Sequence, residues 1–570
     1  MKKNKGPFPH VFPNIKDWKI HKLHADRANF IKAINKEVFS RYKNKSNEEI
    51  SKLIAKTIYS ERIRIKEEPW KVDPPNEKIF WGKISKNLIL DQDDEESKIK
   101  NLTILKKIIH RYSEEIVATF NESTFEFARK FLRVLFGRLL KTASSRNLKR
   151  IWGGKHQLAD KLKVHGAAEE VRELSKIGTV VYVPTHFSNL DSILIGYIMD
   201  QIVGVPVPSF GAGLNLYNTG YTAYFMNRLG AYRIDRRKKN PIYLETLKVN
   251  SKQSLERGTS SLFFPGGTRS RSGAMENKFK LGMMGTAIEA QRSNYQKGKK
   301  EKIFIVPVIL GYHFVLEGKF LIESYLKNTG KEMYFKYSRD ESYSFRKTMK
   351  FIWDTFSESS DINLTLGKPM DVLGNFVDKE GNSFDTQNKK VDLKEYFYTN
   401  GEIVKDRQRE NEYTRRLGNK ILERYYKDNL VLSSHLVAFV AFNILLAQNP
   451  NLDIYAILRL PPEDYIFPMN EMKKATEKLR EVLYKKEIAG EISLTDEISW
   501  EIEDLVKDGI KKLGTYHADQ PLKINKKGKI ISEDFKVLFF YHNRLDFYDF
   551  ANSVKWKAFK LNTQSRITAM

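Results

Sequence analysis

Between about Thr179 and Met370 short apolar runs alternate with segments of helical spacing. TVVYVP, VGVPVPSF, AYRID, SSLFFP and KIFIVPVILGY read as strands, and LGMMGTAIEAQ reads as one of the helices between them. This alternation predicts an α/β unit: a mostly parallel sheet with flanking helices. Upstream, residues 1–120 are rich in Lys, Glu, Ile and Asn, and stretches such as NFIKAINKEVFSRY predict a helical N-terminal region with a solvated acidic loop at DQDDEES. Beyond Asp371 the strand signal fades. KEYFYTNGEIVKDRQRENEYTRRLGNKILERYY reads as charged helix, and the rest of residues 371–570 as mainly helical. The apolar segment VLSSHLVAFVAFNILLA, 431–447, is broken by Ser433, Ser434, His435 and Asn443, so a buried helix fits it better than a membrane span. The expected organisation is therefore 1–120, an α/β domain over 121–370, and 371–570.

The segment 127–150, FARKFLRVLFGRLLKTASSRNLKR, changes character: it carries eight Lys or Arg and no acid, with Phe127, Phe131, Leu132, Leu135 and Leu139 near helical spacing. That pattern predicts a basic amphipathic helix. Its apolar stripe fits either the acyl region of an anionic membrane or the protein core.

Composition narrows the partners. The chain of 570 residues is 41% hydrophobic, which supports a large core, and it contains no Cys, which excludes disulfides, thiolate metal sites and Cys nucleophiles. A formal charge of +28 calls for an anionic partner. The cations are spread along the chain with no nucleic-acid reader motif, so no nucleic acid is expected. The amino terminus has no apolar run of signal-peptide length, and the expectation is a cytosolic protein.

Chemistry concentrates at the strand ends, where ligands bind in open α/β sheets. His186-Phe187-Ser188-Asn189-Leu190-Asp191 follows TVVYVP and opens an apolar helix. Side chains five apart on one regular helix diverge, so a His186–Asp191 contact requires the imidazole in the loop and the carboxylate in the first turn. Ser188 and Asn189 are N-cap residue types that fit this start. Histidine is mostly neutral and able to accept a proton at physiological pH, and Asp191 would orient it. A second stretch, FFPGGTRSRSG, runs an apolar strand into two glycines and then Arg269 and Arg271, with Thr268, Ser270 and Ser272 as neutral donors. Glycine-bearing turns with arginine forks cradle phosphate oxygens. A third, RLGAYRIDRRKK, puts Asp235, Arg236 and Arg237 at a strand end, where one arginine could join the same anion site. Several cations suit a small organic phosphate.

HFSNLD, GAYRIDRR, FFPGGTRSRSG and IVPVILGY occur in the order and at roughly the spacing of the four motif blocks of the glycerolipid acyltransferases. With VYVPTHFSNLDSILIGY, the block GAGLNLYNTG and the RSRSG ending, the chain most resembles the bacterial and mitochondrial-type glycerol-3-phosphate acyltransferases, over about residues 120–450, with a fainter echo in KVLFFYHNRLDF near the carboxyl end. The resemblance implies acyl transfer from acyl-CoA or acyl carrier protein to the 1-hydroxyl of glycerol 3-phosphate, with no cofactor and no metal, at the cytoplasmic face of a membrane to which the protein is peripherally bound. It implies His186 as general base and Asp191 as its orienter. Arg236, Gly267, Arg269, Ser270 and Arg271 match phosphate-binding positions, and Pro307 matches the fourth block, which borders the acyl site. One departure stands out. Most members carry Glu before the glycine of the third block, and here Gly266 occupies that place, or Pro265 if one residue is inserted; Glu276 lies nearby in sequence. The departure leaves lysophosphatidate and dihydroxyacetone phosphate as alternative acceptors, and a weakly active membrane-surface scaffold as an alternative outside catalysis.

Overall fold

Apart from Thr179, TVVYVP and IFIVPVILGY are apolar in succession, not at alternate positions, which is the mark of strands covered on both faces. The computed structural model, which describes residues 6–90, 94–142, 162–217, 220–329, 361–514 and 517–563, shows both runs fully buried at the centre of a seven-stranded sheet. The strands are β1 (Leu162–Gly166), β2 (Thr179–Pro184), β3 (Ser209–Gly213), β4 (Ala231–Ile234), β5 (Ser261–Leu262), β6 (Ile303–Tyr312) and β7 (Ile362–Leu366), in the order β1-β7-β6-β2-β5-β3-β4. All neighbouring pairs are parallel except β6 with β7, where Val308 faces Leu366 and Tyr312 faces Ile362. Thr179 faces Ile303 and Pro184 faces Val308, so β2 and β6 climb together and end on the same edge.

Several expected strands shorten. In VGVPVPSF pairing starts only at Ser209, because Pro206 and Pro208 have no N–H to give a ladder. In SSLFFP only Ser261 and Leu262 pair. The helix in LGMMGTAIEAQ begins at Gly285 and runs to Gln296. The first part of the expected charged helix after Lys394 is instead a small hairpin, Tyr398–Thr399 against Glu402–Ile403. Its turn residues Asn400 and Gly401 both have positive φ, 50° and 83°, the conformation an Asn-Gly hairpin turn selects. The helix proper is Arg407–Lys427.

Helices cover both faces. The N-terminal region is helical as expected, and its helices Arg27–Ser40 and Glu95–Ile116 pack on helix Pro241–Glu256, between β4 and β5. The apolar segment after Val431 forms helix Ser433–Gln448, buried from Ser433 to Leu445 against helices Ile502–Lys512 and Phe535–Asp546. Among the described residues no helix is long and apolar enough to cross a membrane. The basic amphipathic segment lies on helix Glu122–Thr142, which starts five residues earlier than its expected bound; residues 143–150 of that segment lie outside the described residues. Of the stripe, Phe127 and Phe131 are 57% and 40% exposed and Leu132 is half-buried against the core, while the side chains of Leu135 and Leu139 lie outside those described.

Candidate active site

β2 delivers its chain to the carboxyl edge of the sheet at Pro184, and two residues later the His186 ring meets Asp191. Nδ1 lies 2.8 Å from Asp191 Oδ2. Asp191 is the first residue of helix Asp191–Ile198 and is fully buried. Its Oδ2 also accepts from the N–H groups of Phe187 (2.7 Å) and Ser188 (3.0 Å), and its Oδ1 from the Tyr312 hydroxyl at 2.7 Å, at the end of β6. Such a set of donors fixes the carboxylate in place. With the Asp191 carboxylate as acceptor, a neutral imidazole donates its Nδ1–H to Oδ2, which leaves Nε2 as the lone-pair nitrogen. The Tyr312 hydroxyl is pushed well above its usual range by burial and by the Asp191 charge, so it remains a donor. The expected capping is corrected in detail: Leu190 is the cap residue with no side-chain bond, and Ser188 Oγ accepts from Leu190 N–H at 3.2 Å while donating to Glu317 at 3.0 Å.

The glycine-rich loop after β5 folds over this loop. The His186 ring stacks on Phe264 with centroids 3.9 Å apart. The Ser270 N–H donates to the His186 carbonyl at 2.8 Å, and the His186 N–H donates to Glu276 Oε1 at 2.9 Å. Gly267 has φ +74°, which calls for glycine, and the end of the Lys280 side chain lies over it, 2.9 Å from where a Cβ would stand. Arg269 Nη1 pairs with Glu317 Oε1 at 3.2 Å, and the same oxygen accepts from Asn189 N–H at 3.0 Å. Arg269 is thereby anchored to the loop that carries His186. Ser270 Oγ donates to the Ala274 carbonyl at 2.7 Å, a bond within the turn. Arg271 is exposed at the same turn.

Arg236 and Arg237 separate. Arg237 is held by Asp235 at 2.8 Å and by Asp73, with its guanidinium 4.4 Å over the Trp70 ring. Arg236 is exposed, at the carboxyl end of β4, three strands from β2 and so roughly 14 Å across the same sheet edge. His186 therefore meets Asp191 and the Ser270 backbone directly, Arg269 joins them through Glu317, Gly267 and Arg271 belong to the same loop, and Arg236 lies at the end of a strand farther along the edge. Pro307 is buried within β6 opposite Val183, where pairing with β7 begins, and its carbonyl accepts from Gly367 N–H at 2.8 Å.

Four contributors escaped sequence reading: Tyr312, Glu317, Lys280 and Arg544. Arg544 comes from helix Phe535–Asp546, the segment of the faint HNRLDF echo. Its guanidinium lies 3.8 Å over the Phe187 ring and donates to the Leu310 carbonyl at 2.6 Å. Burial lowers it to about 10, against the pull of Glu276, Tyr548 and Asp191. It is a buried cation that offsets the buried carboxylates around His186. Burial raises Glu317, with Arg269 opposing, and raises Glu276 to about 7, with the His186 N–H opposing. The echo in sequence was the signal for Arg544; Tyr312 and Glu317 had none beyond their place after an apolar strand.

Comparison with known proteins bears on this arrangement. Residues 161–311 match the family described as Acyltransferase. The chain is 29% identical over 248 residues to the glycerol-3-phosphate acyltransferase of Aeromonas hydrophila, and 30% identical over 258 residues to those of Pasteurella multocida and Haemophilus ducreyi. These matches cover 43–45% of the chain and 27–28% of the relatives, so the chain aligns with little more than a quarter of their length.

Proposed function

From the premise that residues 161–311 form an acyltransferase domain, we propose that the protein transfers a fatty acyl group from a thioester, acyl-CoA or acyl carrier protein, to the 1-hydroxyl of glycerol 3-phosphate. The observation that carries this reading is the 2.8 Å bond between His186 Nδ1 and an Asp191 carboxylate saturated with donors, beside Arg269. Nε2 takes the hydroxyl proton as the hydroxyl oxygen attacks the thioester carbonyl, and Asp191 stabilises the imidazolium that forms. Collapse of the tetrahedral intermediate expels a thiolate, which needs little acid assistance, and no covalent enzyme intermediate is required. Arg236, Arg269 and Arg271 hold the phosphate of the acceptor, with Lys280 over the Gly267 turn as a further cation. The Gly267 and Ser270 positions serve the shape of that turn.

Peripheral attachment to the cytoplasmic face of an anionic membrane completes the reading. Exposed Phe127 and Phe131 stack on each other at 6.3 Å, and Phe127 stacks on Phe225 at 6.1 Å beside exposed Tyr224. Arg228 lies 4.1 Å over the Tyr224 ring, and exposed Lys130 follows on the helix of Phe127 and Phe131; aromatic rings with cations beside them suit an anionic interface. Purified protein given acyl-CoA and labelled glycerol 3-phosphate should release free thiol and form 1-acylglycerol 3-phosphate. A panel with glycerol, dihydroxyacetone phosphate and lysophosphatidate should show lower kcat/KM for each; a higher value for any of them would reassign the acceptor.

A further inference from the structure

The peptide unit that carries the base is gripped from both sides by one loop. Its carbonyl accepts from Ser270 N–H at 2.8 Å and its N–H donates to Glu276 Oε1 at 2.9 Å. Glu276 reaches this point because the loop doubles back: Lys280 N–H bonds the Pro265 carbonyl at 2.8 Å, and the Tyr426 hydroxyl donates to the Glu276 carbonyl at 2.8 Å. The doubling lays Glu276 across Gly266. A Cβ built on Gly266 would lie 3.2 Å from Glu276 Cγ, 3.5 Å from the Thr268 carbonyl and 3.7 Å from Glu276 Oε1. The Glu276 side chain thus fills the space that a side chain at position 266 would enter. Gly266 is not among the glycines of positive φ, so its backbone does not by itself call for glycine. Glu276 Oε2 is buried and has no hydrogen-bond partner among the described residues.

We infer that Glu276 is the positioning residue for His186, supplying from ten residues downstream the carboxylate that position 266 lacks. A carboxylate braced on the backbone N–H of His186 sets the height and tilt of the imidazole over Phe264, and so the line from Nε2 to the acceptor hydroxyl. Small displacements there matter, since a misplacement of about 1 Å can cost on the order of a hundredfold in rate. The inference rests on the acyl-transfer reading for its kinetic arm and on geometry alone for its structural arm.

The test uses the full chain as Glu276→Ala, Glu276→Gln, and the relocated pair Gly266→Glu with Glu276→Ala, assayed with acyl-CoA and glycerol 3-phosphate. Exchange protection of the His186 amide is followed in parallel by mass spectrometry. The expected result is a fall in kcat of roughly tenfold or more for Glu276→Ala with little change in KM, a smaller fall for Glu276→Gln, which keeps an acceptor, and recovery of most of the rate in the relocated pair. Amide protection should be lost in Glu276→Ala and regained in the pair. A folded Glu276→Ala protein with wild-type kcat and protection, or a folded relocated pair no better than Glu276→Ala in both, overturns the inference. If the wild type itself turns over no acceptor, the acyl-transfer reading fails, and the amide exchange still decides whether Glu276 braces His186 and whether position 266 can replace it.

Discussion

His186 and Asp191 sit five residues apart, a separation that works only because the chain changes from loop to helix between them. Helix geometry in the sequence required His186 in the loop and Asp191 in the first turn if the two were to meet, and the basic turns that follow favoured the pairing; the structure places them so, 2.8 Å apart. Glu276 was visible only as a nearby acid, because nothing local in GAMENKF shows that the loop doubles back across Gly266. Its environment makes a testable statement about pH. Burial raises its carboxyl from 4.5 to about 7, so between those values the folded protein keeps a proton that the unfolded chain has lost. Stability contributed at this position therefore falls as pH rises through that window and is fully lost above it, by an amount on the order of a few kcal/mol. Glu276→Gln lacks the titration. Urea unfolding at about pH 5 and about pH 8 should show the Gln variant gaining on the wild type at the higher pH; a constant difference between the two would contradict the assignment.

At the scale of elements, β2 and β6 were readable because strands covered on both faces leave uninterrupted apolar runs, and helix 433–448 because its polar interruptions were too few to expose a face. β1 escaped because Lys163, paired with Asp361 and Glu497, breaks the run at the sheet's edge. The hairpin at Asn400-Gly401 was masked by its charged surroundings, although the dipeptide is itself a turn signal. The element whose importance was least visible is helix 535–546, which clamps the glycine-rich loop. Gly273, at φ +84°, lies so close to this helix that a Cβ would stand 2.0 Å from the Phe540 carbonyl, and Asn543 donates to the Ser272 carbonyl at 2.9 Å. Gly273→Ala must therefore push the loop and helix apart, moving Arg269 and Arg544 together. A loss of about 2–4 kcal/mol in stability is expected, with a rise in KM for glycerol 3-phosphate as the loop shifts. Calorimetry and initial rates check both, and an unperturbed variant would show that loop and helix are not in the contact described.

Over the whole molecule, the N-terminal helices do more than pad the sheet. Arg64, 5% exposed, pairs with Glu61 at 2.8 Å and Glu77 at 2.5 Å and lies 3.3 Å from Asp73, which holds Arg237 beside Asp235. Lys238 reaches Glu115 from the same turn. This buried ionic network ties residues 61–115 to the end of β4, so the exposed Arg236 is presented by a turn whose neighbours are locked. Removing one partner of a buried cluster leaves uncompensated charge, and Arg64→Met should cost about 3–5 kcal/mol. In the fraction that stays folded, KM for glycerol 3-phosphate should rise while KM for the acyl thioester holds, because only the Arg236 side of the site is released; equal changes in both would place the network outside acceptor binding. The sequence offered the N-terminal region as helical packing without chemistry, since each of its acids looks like an ordinary solvated charge until the fold brings it to the β4 turn.

The central claim is that His186, oriented by Asp191, removes the proton of the acceptor hydroxyl. The most direct measurement is the rate of thiol release from acyl-CoA as glycerol 3-phosphate is varied, for wild type and for His186→Ala of matched melting temperature. The account predicts acceptor-dependent release in the wild type and a loss of at least about a hundredfold in kcat in the variant. Acceptor-dependent release at the wild-type rate from folded His186→Ala would contradict it.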